Sequence, residues 1–133
     1  FCMDRGAVHQ LEDAMDSSYK PWCDGMEGIF KEEAMHMAHG DQWVKKLAGD
    51  EATRDEIQEA LNLWYPRTMN IFGRANSTKN AIYRKLGLKK RDNDAVRKSF
   101  ADDIAAKCKE YGLRVPAWKP EAKHMTEEPF IPG

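Results

Sequence analysis

From Phe1 to Tyr111 apolar residues recur at helical spacing almost without interruption, and no stretch shows the sustained alternation of a half-buried strand. That periodicity predicts an all-α chain. Its breaks divide it into elements. Ser17, Ser18, Tyr19, Lys20 and Pro21 end a first helix that runs from the start to about Ser17. A second helix begins near Pro21, which a first turn tolerates, and runs to Ala48 with Gly49 as its stop. A third follows Asp50, capped by Asp50 or Thr53. Its inward stripe is Ile57, Ala60, Leu61, Trp64, Thr68 and Ile71, and Pro66 is expected to kink it. Gly73, Asn76 and Ser77 form a loop, and a short helix covers about Thr78 to Leu86. A last helix runs from about Asp92 to Tyr111, with Val96, Phe100, Ile104 and Cys108 inward. Beyond Gly112, four prolines (Pro116, Pro120, Pro129 and Pro132) exclude regular helix. The organisation is therefore a helical domain at residues 1–112 and an extended tail at 113–133, with Trp118 and Phe130 packing the tail on a surface.

Acids stand where core residues belong. At about 100° per residue, Met26, Ile29, Phe30, Met37, Val44 and Leu47 all fall within roughly 60° of Glu33, and His36 lies on the edge of the same stripe. A carboxylate buried in apolar surroundings costs several kcal/mol unless something compensates it, and a metal cation is the strongest compensator. Glu-x-x-His puts an oxygen and a nitrogen donor on one helical face, as bundle-core iron and manganese sites require. A Glu33 hydrogen-bonded to His36 or to a neighbouring helix accounts for the spacing equally well.

The same wheel on helix one centres Asp4 among Phe1, Ala7, Val8, Leu11, Ala14 and Met15, with Glu12 near the edge and Asp13 opposite. If helices one and two form an antiparallel hairpin, the point midway between Asp4 and Glu33 lies between Ser18 and Tyr19, inside the predicted turn. Asp4, Glu33 and His36 then meet at one height. Together they make half of a di-iron carboxylate site, whose other carboxylate and Glu-x-x-His come from two further helices. His9 and His39 lie off their stripes and are expected to be exposed rather than ligating, and His124 has no metal-like surroundings.

Other features exclude whole classes of function. With 21 Lys and Arg against 22 Asp and Glu, the net charge of −1 supplies no field to recruit nucleic acid or an anionic membrane. Neither a membrane-length apolar run nor a cleavable signal is present. Cys2, Cys23 and Cys108 match no zinc or redox spacing, so each reads as a small buried residue of a protein kept in a reducing, cytoplasmic compartment. Lys85, Lys89, Lys90, Arg91, Arg97 and Lys98 could hold phosphates, although a solvated face is the simpler reading. Trp22, Trp43 and Trp64 fit core filling better than an acyl pocket. There is no Ser-His-Asp set, phosphate loop or zinc knuckle. Phe1 stands in place of an initiator Met and already in helical periodicity, so the chain reads as a fragment or processed piece.

Across Tyr19 to Pro116, the segments YKPW, KEEAMHMAHG, LNLWYPRTMNIFG and NDAVRKSF resemble the catalytic A subunits of the bacterial multicomponent phenylacetyl-coenzyme A epoxygenases. In that family K-E-E-x-x-H-x-x-x-G holds Glu-x-x-His metal ligands, which map onto Glu33 and His36, and W-[WY]-P-x-x-M-x-x-F-G maps onto Trp64 to Gly73. Asp4 falls where the family has a carboxylate on the preceding helix. The resemblance implies the C-terminal half of a ferritin-like helical bundle, two irons per complete site, dioxygen as co-substrate and an aryl-coenzyme A substrate. It also implies a separate reductase, since no flavin or iron–sulfur motif is present, together with an accessory structural subunit. Where family members continue Phe-Gly with Pro-Asn, this chain has Arg74, Ala75 and Asn76. The two N-terminal ligand helices of the family are absent from the sequence. Two readings stand: part of an aromatic acyl-coenzyme A mono-oxygenase with Glu33 and His36 at its centre, or a non-catalytic ferritin-like structural subunit or assembly partner. A homo-oligomer fits either.

Overall fold

The computed structural model describes residues 1–118. Five α-helices follow one another: α1 (Cys2–Ala14), α2 (Lys20–Ala48), α3 (Arg54–Met69), α4 (Thr78–Lys85) and α5 (Asn93–Tyr111), with one 3-10 turn, Asn70–Phe72, after α3. α1 packs against α2, α3 and α5, and α2 also touches α3 and α5.

Most stop signals act as their chemistry dictates. Pro21 sits in the first turn of α2, and Ser17 to Tyr19 separate it from α1. The Asp92 side chain accepts from the Ala95 amide at 2.7 Å and caps α5. At its other end Gly112 takes the left-handed conformation (φ 72°), and the Leu113 amide returns to the Cys108 carbonyl at 2.9 Å. Pro66 lies inside α3, which continues for three more residues to Met69.

The core forms around α5, whose Val96, Phe100, Ile104 and Cys108 are all buried, as the periodicity predicts. Tyr65 stacks on Phe100, and Phe72 tilts against the same ring at 5.3 Å. Residues 113–118 leave the helix but not the core: Leu113 and Trp118 are buried, and Gln58 bonds both the amide and the carbonyl of Arg114. Phe130, His124 and the rest of the expected tail lie outside the described residues.

Four expectations about burial are corrected. Trp22, Trp43 and Trp64 are each 46–49% exposed rather than core residues. α3 turns Leu61, Thr68 and the half-buried Ile57 of its expected stripe inward together with Gln58, Tyr65 and Met69, but Ala60 and Trp64 face outward, and Ile71, in the 3-10 turn beyond it, is exposed. Two members of the basic cluster leave the surface, while Lys85, Lys90 and Lys98 stay exposed. Arg97 is fully buried, donating to the carbonyls of Met69 (3.0 Å) and Gly73 and to Asp94, while Arg91 reaches inward to Asp13 and Ser99. Asp13, expected on the outer face, is itself buried because it accepts from the Arg91 amide at 3.0 Å and from its guanidinium.

Candidate metal centre

The site is built on the α1–α2 hairpin. Contacts along it run in opposite directions: Phe1 lies against Gly40, Asp4 against Glu33 and His36, and the Ala14 carbonyl against the Cys23 thiol. This is the antiparallel register that the turn midpoint predicts. The ligand atoms of Asp4, Glu33 and His36 all lie within 4.8 Å of one another, with His36 Nδ1 at 3.9 Å from Glu33 Oε1. Asp4 also accepts from the Phe1 amino group at 3.2 Å.

Burial departs from the sequence expectation. The Glu33 side chain is 26% exposed, Asp4 36% and His36 57%, so the carboxylates are not in a dry interior. α2 has 29 residues and α1 only 13, and Met26 and Ala48 are the only buried residues of α2. Ile29, Met35 and Trp43 stand exposed on α2, and an open cleft beside the three donors is lined by Asp4, Met35, His36, His39 and Gly40. Of the stripe read from the sequence, Met26 is buried, Phe30, Met37, Val44 and Leu47 are half-buried and Ile29 is exposed. His39 is exposed, as expected, and stands edge-on to Trp43.

Beside the site lies a charged cluster that periodicity did not reveal. Arg5, 3% exposed, donates through Nη2 to both oxygens of Asp41 on α2 (2.5 and 2.6 Å) and through Nη1 to Asp103 on α5 at 2.8 Å. His9 Nε2 meets the other Asp103 oxygen at 2.9 Å, so this histidine is largely buried rather than exposed. Burial works against the Arg5 charge, but hydrogen bonds to the two carboxylates outweigh it and raise its pKa above the ordinary guanidinium value. The available sequence signal was Arg5 and His9 four residues apart on one face of α1.

What the three donors can do follows from their chemistry. Two carboxylate oxygens and an imidazole nitrogen suit a divalent iron or manganese ion better than a soft, thiolate-seeking one. They fill only part of such an ion's coordination sphere.

The sequence profile of the phenylacetic acid catabolic protein family matches residues 1–128. The chain belongs to that family. Within it, the chain is 34% identical over 104 residues to the A subunit of 1,2-phenylacetyl-CoA epoxidase from Escherichia coli (strain K12). The match covers 75% of this chain and 33% of that relative, so the chain spans about a third of the length of the curated relative it matches. Membership agrees with the all-helical fold and with a cluster able to chelate a metal. None of the helices in the described residues is long and apolar enough to cross a membrane.

Proposed function

We propose that this chain is part of a ferritin-like di-iron oxygenase subunit, in which Asp4, Glu33 and His36 hold metal for the oxygenation of an aromatic acyl-coenzyme A thioester. The observation that carries the reading is the convergence of three donors from two helices, within 4.8 Å, in a chain matched to this family along nearly its whole length. Iron, when bound, supplies the binding and reduction of dioxygen. The chain's own residues do the rest. Asp4 and Glu33 offset the positive charge of the metal, and His36 offers a neutral nitrogen when its ring is unprotonated. Met35 and the apolar face of α2 flank the site, and further helices laid on that face would exclude water from it. A second carboxylate and Glu-x-x-His would come from those helices. Electrons come from a separate reductase, an accessory structural subunit completes the assembly, and the free thiols at Cys2, Cys23 and Cys108 support a reducing, cytoplasmic setting.

One observation favours the second reading, a non-catalytic structural subunit: Glu33 and His36 are exposed enough for the fold to tolerate them without metal. Turnover separates the two. In the complete subunit with its reductase, Glu33→Ala is expected to abolish oxygen-dependent consumption of phenylacetyl-coenzyme A. Glu32→Ala, about 100° away on the same helix, is expected to keep most of it. Equal loss in both variants, or turnover retained by Glu33→Ala, contradicts the assignment.

A further inference from the structure

We propose that Arg5 is a positioning residue: its guanidinium, forked between Asp41 through Nη2 and Asp103 through Nη1, sets the register of α1 on α2 and so brings Asp4 to Glu33 and His36. The metal part of this inference rests on the function proposed above. The register part stands on contacts alone.

Arg5 follows Asp4 directly in sequence, so the two side chains leave α1 about 100° apart. Asp4 faces the open cleft, while Arg5 turns beneath it into the junction of α1, α2 and α5. Asp41 stands on α2 eight residues beyond Glu33 and five beyond His36, on the same rigid helix as both. Holding Arg5 on Asp41 therefore fixes how far α1 can slide along α2. The grip is narrow because the guanidinium is planar and engages a second carboxylate, Asp103, at the same time. Gly40 tightens it further. A Cβ at that position would come within 2.8 Å of the Phe1 nitrogen and 3.1 Å of its Cα, so the helices approach backbone to backbone one residue before Asp41. A slip of one residue, about 1.5 Å, breaks the fork and carries Asp4 away from its partners.

The test compares the unaltered chain with Asp41→Asn, which is nearly isosteric but lacks the charge, and with Arg5→Lys, which keeps the charge but not the fork. Asp13→Asn is the control, because it cuts a different buried ion pair of α1, at the far end of the helix. The first readout, in metal-free protein, is the nuclear Overhauser contact between the α-protons of Phe1 and Gly40. The second is binding of Co²⁺, followed by its visible absorption. Asp41→Asn and Arg5→Lys are expected to weaken the contact about two-fold or more, as a sideways slip of about 1.5 Å implies, and to weaken Co²⁺ binding by about ten-fold or more. Asp13→Asn is expected to lower stability and change neither. Should Asp41→Asn not fold, Asp41→Glu keeps the charge, lengthens the side chain by one methylene and is expected to move both readouts the same way. An Asp41-dependent contact in a chain that binds no Co²⁺ supports the register and removes the expectation that these three donors hold a metal without the further helices. Co²⁺ bound equally by all variants, with the contact unchanged, overturns the role of Arg5 and leaves the metal reading standing.

Discussion

At Asp103 burial and hydrogen bonding pull in opposite directions. Burial alone would raise this carboxyl, but hydrogen bonds from His9 and Arg5 outweigh it and hold the pKa below its ordinary 3.8. A carboxylate depressed in the folded state contributes stability that is fully present above the unfolded value and is lost as pH falls through the folded one. The acid limb of the stability curve below pH 3.8 should therefore be steeper in the unaltered chain than in Asp103→Asn, as read from urea midpoints. Identical limbs would mean that the cluster contributes no pH-dependent stability. At this scale the sequence was informative about Asp4, Glu33 and His36, because a polar residue inside an apolar stripe is visible on a helical wheel. It was silent about Arg5, Asp41 and Asp103, because their partners lie on three different helices and no periodicity of one helix reports a contact between three. It also misjudged exposure at Glu33, since a wheel shows which face is apolar but not whether another element covers that face.

Among the elements, α5 was the most legible, with its Asp92 cap, left-handed Gly112 and inner face all where local chemistry puts them. α3 was less so. Its outward Trp64 is covered by Arg67 in a cation–π contact, just as Lys46 covers Trp43 on α2, so these rings are partly shielded without entering the core. The turn after α3 depends on Arg97, which reads in sequence as one more surface cation but donates to the carbonyls of Met69 and Gly73 from a fully buried position. Gly73 adopts φ 88°, and a Cβ there would meet Asn93 Nδ2 at 2.9 Å, which leaves the segment little room to rearrange. Arg97→Met keeps much of the volume and removes every donor. It is expected to cost about 2–4 kcal/mol in urea unfolding, because the buried carbonyl of Met69 and the half-buried carbonyl of Gly73 lose this donor. A change within about 0.5 kcal/mol, the size usual for surface substitutions, would mean that water replaces the guanidinium there.

For the whole molecule, the decisive feature is an α2 far longer than the α1 packed on it, with a cluster of three donors at an open cleft where the two helices meet. The all-helical class and the hairpin register were readable from apolar spacing and one turn. The open site was not, because what lies against a helix is a property of the assembly. Three donors leave most coordination positions to water, so the chain alone is expected to bind a divalent ion weakly but at one place. Mn²⁺ titrated into isotopically labelled chain tests this most directly, because its paramagnetism broadens the amide signals nearest to it. Broadening is expected to centre on the residues around Asp4, Glu33 and His36, to vanish in Glu33→Gln and to persist in Glu32→Gln. Broadening spread evenly over the acidic surface, or unchanged in Glu33→Gln, would contradict the account.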